Sequence, residues 1–469
     1  MAAQGWTQAR TNLEYALGLI RPAYNHRKLL ACSSMNRDTP IDRQALAETL
    51  HYGVPINRPV PIQGLPFEVD TLKAARQRRR QPEPSQDKLL AQGADLWNHI
   101  CRKAANHATR PLLLPLSAGL DSRAVLGGLR ACGASVKTAT YGVPGAFDYE
   151  IAPRIAAQAG VANERIDLTR TQLSRAALLD VAKSEPSPSL VIDMFFNAQI
   201  AWRYGQEFTY INGFCGDALS GKHLDKGASG NWQQARESFV AWHQASRTIK
   251  LTDEDMVPID ALPSAPFVDM DLMSPLEQLD HAIRQQRLVR PVVCPAGYEV
   301  LSPFLDPEWC AFILGLPDAL RRDQRFFIAL FQYSYPELFA LPTTASGGLP
   351  LGASDAEIRR YRKKLRRQRR LRSRLSHIIP NIHVPPADRR WQYLDFRNEL
   401  RRDSTVAALF DESMARLDDS ELVPWIDAQG ILRRHREEKT DHFKALNVLF
   451  NLELLLDARP DLFKPSSSD

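Results

Sequence analysis

Between residues 111 and 212 the chain switches repeatedly between two periodicities, and this alternation restricts the fold more than any other feature. Leu112-Leu113-Leu114-Pro115-Leu116 is an apolar run too short for a helix and without polar alternation, so it reads as a strand buried on both faces. A helix over 121–131 follows, with Gly133 as its stop. Strand 136–141, helix 150–159 ended by Gly160, strand 165–168, helices 172–182 and 192–203, and strand 208–212 complete the series. Strands separated by helices are joined by crossovers, which predicts an α/β fold, a parallel sheet wrapped by helices. A helix is expected upstream over 88–105. Beyond about 230 the periodicity is helical, at 277–288, 307–314, 325–333, 356–375 and 442–456, giving a mainly helical C-terminal part.

With 469 residues and 44% hydrophobic content, the chain can bury a large core and is expected to divide into 1–87, 88–230 and 231–469. The first part shows only a strand-like piece at 28–31 and a helical one at 45–50. Residues 71–88, with Arg76, Arg78, Arg79, Arg80, Pro82 and Pro84, read as a polar linker. Residues 466–469 read as a frayed end. Neither an export signal nor a run of about 18 apolar residues occurs, which predicts a soluble cytoplasmic protein with no membrane span. The six cysteines lack metal-ligand spacing and read as reduced, mostly buried thiols.

The net charge of +6 comes from one place. Residues 359–374 hold eleven Lys or Arg and no acid, leaving 49 basic and 54 acidic residues elsewhere. Tyr361, Leu365, Gln368, Leu371 and Leu375 fall at helical spacing within 359–375, so a solvated amphipathic helix is the first reading and attraction of a polyanion the second. With no accompanying RNA-binding module, nucleic acid is not expected as a partner.

The segment after the first strand, Ser117-Ala118-Gly119-Leu120-Asp121-Ser122, is a small-residue turn opening a helix. Such a turn aims backbone N–H groups at a positive helix end, where a phosphate can approach. Ser117 and Ser122 add hydroxyls, and Asp121 suits a magnesium ion that neutralises the phosphate. A plain helix N-cap is the competing reading.

The loop resembles the S-G-G-x-D-S signature of the ATP pyrophosphatase (PP-loop) family, and more narrowly its asparagine-synthetase-like branch. Three further segments recur in that branch's order. Thr140-Tyr141-Gly142 with Asp148-Tyr149-Glu150 is similar to its second strand and next helix. Ile211-Asn212-Gly213-Phe214-Cys215-Gly216-Asp217-Ala218-Leu219-Ser220-Gly221 resembles its S-G-E-G-x-D-E-x-F-G-G turn, and Ser302-Pro303-Phe304-Leu305-Asp306 its P-F-L-D turn. The resemblance implies an adenine-nucleotide α-hydrolase-like fold that takes ATP and Mg2+. It implies magnesium on Asp121 and Asp217, phosphates on the loop from Ser117 to Ser122, and adenine beside backbone groups of Leu116, Tyr141, Gly142 and Gly213.

Departures from the pattern carry their own implications. Ala118 stands where the family has glycine, and Phe214 and Ala218 replace both glutamates of the second motif, which implies a different acceptor side. The family's lysine near the pyrophosphate has no counterpart in 342–350; Arg123, Lys222 or the basic helix are the candidate replacements. His223 is a candidate proton acceptor, while Trp391, Tyr393 and Phe396 read as packing residues. Residues 1–87 read as a degenerate remnant of a glutaminase domain plus linker, so nitrogen comes from ammonia, a separate glutaminase or an amine on the substrate. The implied function is an amide-bond-forming synthetase or amidotransferase that adenylates a small-molecule, peptide or glycan carboxylate. A nucleotide-binding pseudoenzyme and a tRNA-modifying enzyme are the alternatives.

Overall fold

The computed structural model describes residues 40–224, 230–375, 384–390, 393–402, 404–437 and 440–465. The expected strand at 28–31, Cys32, Trp391 and the end at 466–469 lie outside these residues.

The predicted sheet is present, parallel throughout: β1 (Leu112–Pro115), β2 (Val136–Gly142), β3 (Asn163–Asp167), β4 (Thr209–Ile211) and β5 (Val300–Leu301), in the order β3-β2-β1-β4-β5. The fifth strand, only two residues long, escaped the sequence pattern. Because β1 pairs with β2 on one side and β4 on the other, the chain reverses its direction of travel across the sheet between β1 and β4. In open parallel sheets that reversal leaves a crevice beyond the carboxyl ends of the two strands.

Helices cover both faces: α1 (Arg43–Tyr52), α2 (Val69–Arg79), α3 (Gln86–His107), α4 (Asp121–Ala131), α5 (Phe147–Gln158), α6 (Arg175–Ser184), α7 (Val191–Tyr204), α8 (Asp355–Leu375) and α9 (Phe443–Ala458) are those that matter below. One apolar cluster joins α3, α4 and α5 to 304–339; another joins α1, α6, α7 and α9 to 406–432. Trp97 fixes α4 in the first. Its ring stacks on Phe304 with centroids 4.4 Å apart, and its indole N–H donates to the Ala124 carbonyl at 3.0 Å. The helix behind the loop is thus located by an aromatic anchor.

Residues 71–88 are not simply a linker. Residues 69–79 form α2, which buries Thr71 and Ala75. The arginines that made the segment look solvated have partners: Arg78 lies 4.2 Å over the Phe312 ring, and Arg79 bonds Asp318 at 2.6 Å. Long arginine stems cover apolar surface while their heads find acceptors. Upstream, Asp42 caps α1 by accepting from the Gln44 and Ala45 amides, and Asn451 of α9 bonds both the Gly53 carbonyl and the Val191 amide. Residues 42–79 therefore pack against the rest of the described residues.

Among the described residues no helix is long and apolar enough to cross a membrane. Cys101, Cys215 and Cys310 are buried free thiols.

Candidate active site

The loop after β1 is built by its own side chains. Ser122 Oγ lies 3.1 Å from the Ser117 amide and 3.0 Å from Ser117 Oγ, and Ser117 Oγ accepts from the Gly119 amide at 3.2 Å. The Ala118 amide donates to Asp148 Oδ1 at 2.8 Å. Three loop amides are thereby occupied, and the N–H groups of Leu120, Asp121 and Ser122, which open α4, remain for an incoming acceptor. Ala118 does not adopt positive φ, so its Cβ carries no backbone strain.

The turn after β4 presses against this loop. A Cβ on Gly213 would lie 2.7 Å from Asp121 Cβ and 2.9 Å from the Ser122 nitrogen; one on Gly216 would lie 2.8 Å from Asp121 Oδ1. Between them Cys215 takes a left-handed conformation with φ of 66° and starts the single helical turn Gly216–Leu219 that carries Asp217. A cysteine there costs about 1 kcal/mol or more of backbone strain. Asp121 and Asp217 consequently face one cleft.

Their electrostatics differ. Asp121 Oδ1 is buried without a hydrogen-bond partner, and burial followed by the Asp217 charge pushes its carboxyl well above the usual range. For Asp217 burial works upward, but Lys222 and His223 outweigh it and hold the carboxyl below its ordinary value. Lys222 Nζ lies 2.9 Å from Asp217 Oδ2. A buried carboxylate oxygen lacking any donor, beside a second carboxylate, is a site that a cation would satisfy.

The cleft encloses about 390 Å3 at the switch point. Of the residues singled out from sequence, Leu116, Ser117, Asp121, Ser122, Tyr141, Gly213 and Asp217 line it; Ala118, Gly119, Leu120 and Gly142 stand behind, and Lys222 reaches it through Asp217. Leu116 already has backbone partners, its N–H on Ala139 and its carbonyl on Thr140 Oγ1, so only a second lone pair on that carbonyl is open to a ligand.

Arg123 is the clear displacement. Its side chain is fully buried and its guanidinium donates to the carbonyls of Ala118, Leu338, Leu341 and Pro342 at 2.8–3.2 Å. Burial lowers its pKa to about 10. It straps the loop to 338–342 instead of lining the cleft. Arg123→Met is expected to cost about 3–5 kcal/mol, because four hydrogen bonds in a buried site are lost at once, while the Ala118 and Leu338 carbonyls keep other donors; a urea midpoint within error of wild type would contradict this. The basic helix α8 has no buried residue and none of its residues lines the cleft; Tyr361 and Leu365 rest on the core, and among the described residues none of its eleven cations at 359–374 forms an ion pair.

Several cleft residues carry no expected role from sequence: Asp148 stands only within a resembling segment and Tyr393 reads as a packing residue, yet both line the cleft. Asp148 holds the loop, and burial raises its carboxyl to about 6 against the pull of the Ala118 amide. Asn197 of α7 joins two tyrosines, accepting from Tyr141 Oη and donating to Tyr393 Oη at 2.7 Å. The expected helix over 277–288 is π-helical over Asp280–Val289 and turns Gln285 and Val289 into the cleft wall. An acid six residues beyond a strand end was a usable signal for Asp148; the π-segment left none, since its apolar spacing is that of an α-helix.

Near this network, burial raises Asp193 to about 7. The unfolded carboxyl titrates near 4, so from pH 4 to 7 the unfolded chain has lost a proton that the folded chain keeps, and stability falls with rising pH before levelling off. Asp193→Asn escapes that loss. It should be more stable than wild type by roughly 2–4 kcal/mol at pH 8 and equal to it at pH 4; equal melting shifts at both pH values would refute the assignment.

No family model matches the sequence, and no curated protein matches it. Among solved structures, an NAD+ synthetase from Burkholderia pseudomallei is similar over 55% of this chain and 94% of that one, at 17% identity and a TM-score of 0.19. A superposition that loose bears on neither mechanism nor substrate.

Proposed function

We propose that this chain binds ATP with magnesium in the switch-point cleft and cleaves it between the α- and β-phosphates to activate a carboxylate for capture by ammonia or an amine. The observation that carries the reading is the unsatisfied, buried Asp121 Oδ1 brought against Asp217 by Gly213 and Gly216. Among the described residues no group of three or more His, Cys, Asp or Glu could hold a metal. Two carboxylates alone suit magnesium, which keeps waters and takes phosphate oxygens for its remaining positions.

The chemistry asks little else of the protein. The free amides of 120–122 would receive phosphate oxygens, and the ion would stabilise charge on the departing pyrophosphate. The altered acceptor side, with Phe214 at the cleft and Ala218 buried, supports a carboxylate other than aspartate. Calorimetry with ATP, with and without magnesium, and pyrophosphate release over carboxylate panels with ammonia test the reading. Magnesium-dependent binding supports it. Absence of any nucleotide binding ends it, and binding without turnover on any panel leaves the pseudoenzyme reading in its place.

A further inference from the structure

Beside the part of the cleft wall made by Gln285 and Val289 lie charges that no motif accounts for. The π-helical Asp280–Val289 continues Pro275–Leu279 and runs into Arg290–Val293. An i→i+5 turn is wider than an α-turn and shifts the residues that face a neighbour, a device frequent at functional sites. Here Gln285 reaches the cleft lining, and Arg284, adjacent in sequence, lies beside His223 and Asp280.

The contacts define who donates. His223 Nδ1 is 3.3 Å from Asp280 Oδ2, Gln285 Nε2 donates to the same oxygen at 2.9 Å, and Arg284 Nη1 is 3.4 Å from Asp280 Oδ1. Arg284 Nη1 is also 3.4 Å from His223 Nδ1, but a guanidinium has no lone pair to offer, and an imidazole N–H turned to a carboxylate has none either. Asp280 is then an anion with donors on both oxygens. Burial works to raise its carboxyl, yet the His223 hydrogen bond and Arg284 hold it well below the usual range.

Asp280 thus acts as a post, and Arg284 is what it braces. Arg284 uses only Nη1; its Nε and Nη2 have no partner among the described residues, and its side chain is 31% exposed. Its charge is felt at both Asp217 and Lys222. Lys222 is 54% exposed while it holds Asp217. Lys222 pairs with Asp217 and Arg284 with Asp280, and His223, next to Lys222 in the chain, lies beside Arg284, so two cations from separate elements come together here, each balanced by one aspartate. A divalent ion on Asp121 and Asp217 would leave this end of the cleft net positive, which is the charge a polyphosphate requires.

We propose that Arg284, presented by the π-helical turn and braced by Asp280, joins Lys222 in clamping the β- and γ-phosphates of the nucleotide. The assignment rests on the ATP reading above, and the planar guanidinium with open donors fits bidentate contact with phosphate.

Isothermal titration of the full chain with magnesium pyrophosphate, magnesium ATP and AMP separates the possibilities. Arg284→Gln should weaken pyrophosphate and ATP about 10–100-fold while AMP, which lacks both phosphates, changes less than twofold. Arg284→Lys should recover part of the loss, keeping charge without the fork. If wild type binds ATP and Arg284→Gln binds it equally, the clamp is wrong and the nucleotide site stands. If wild type binds neither ATP nor pyrophosphate, the nucleotide reading falls and the clamp with it. Should Arg284→Gln fail to fold, phenylglyoxal on wild type gives the same decision: peptide mapping should show Arg284 shielded by magnesium pyrophosphate and not by AMP, and modification that pyrophosphate does not slow overturns the clamp.

Discussion

Replacing Asp217 by asparagine is expected to weaken magnesium-dependent ATP binding and any pyrophosphate release by about 100-fold or more. The side chain keeps its shape and loses the charge that Lys222 and His223 hold in place below the ordinary carboxylate range. Two effects add. One of the ion's two protein oxygens becomes a neutral amide, and Lys222, 2.9 Å away, loses its counter-charge. Asp121→Asn should be equally damaging to function but different in stability. Because burial and the Asp217 charge raise the Asp121 carboxyl and so disfavour its ionised form when no ion is bound, a neutral amide in its place should leave the melting temperature of the apo chain unchanged or raised at pH 8. Titrations at fixed ATP and varied magnesium give the affinity. An Asp217→Asn chain that binds magnesium ATP within threefold of wild type would remove the ion from this site.

The second large effect requires no change in any charged group. Gly213→Ala places a Cβ within 2.9 Å of the Asp121 carbonyl carbon and the Ser122 nitrogen, atoms of backbone that cannot swing aside. Gly216→Ala meets the Asp121 carboxylate and the Phe304 ring, both at 2.8 Å. In each case β4's turn must retreat from the loop by some tenths of an ångström or more, separating Asp121 from Asp217. Overpacking of this kind costs about 1–3 kcal/mol of stability, and misplacement on the scale of 1 Å costs about 100-fold in a site that works by positioning. Gly213→Ala is the more severe. Measured magnesium ATP affinity should fall at least tenfold for Gly213→Ala while the circular dichroism of the helices is kept; unchanged affinity would mean that the two strand ends are not held by this contact.

How far the sequence reached depended on whether a feature was local. Strands and crossover helices around 112–211 follow from apolar runs and turn residues, and their bounds shifted by only a few residues. The helix at 69–79 was hidden because its three arginines made it look solvated, whereas Arg78 and Arg79 meet Phe312 and Asp318 from elements more than 230 residues away. Arg123 misled in the opposite direction. An arginine beside a phosphate-type loop suggests a phosphate ligand, and only the packed position of 338–342 shows its guanidinium tied to carbonyls. The grouping of Asp280, Arg284 and His223 joins residues 57 and 61 apart through a helix whose hydrogen-bond register cannot be read from residue types.

The Ala118 carbonyl receives Arg123 Nη2 at 3.2 Å, Thr343 Oγ1 at 2.8 Å and the Thr344 amide at 3.3 Å, while the amide of the same residue is fixed by Asp148. Since C=O and N–H of a trans peptide point in opposite directions, holding that oxygen also sets the orientation of the Gly119 N–H. The peptide plane has no second resting position without breaking three hydrogen bonds at once. A loop of this kind cannot serve as its own on–off switch: any gating of the cleft has to come from other parts of its lining, such as Gln285 and Val289 on the π-helical turn or Tyr393.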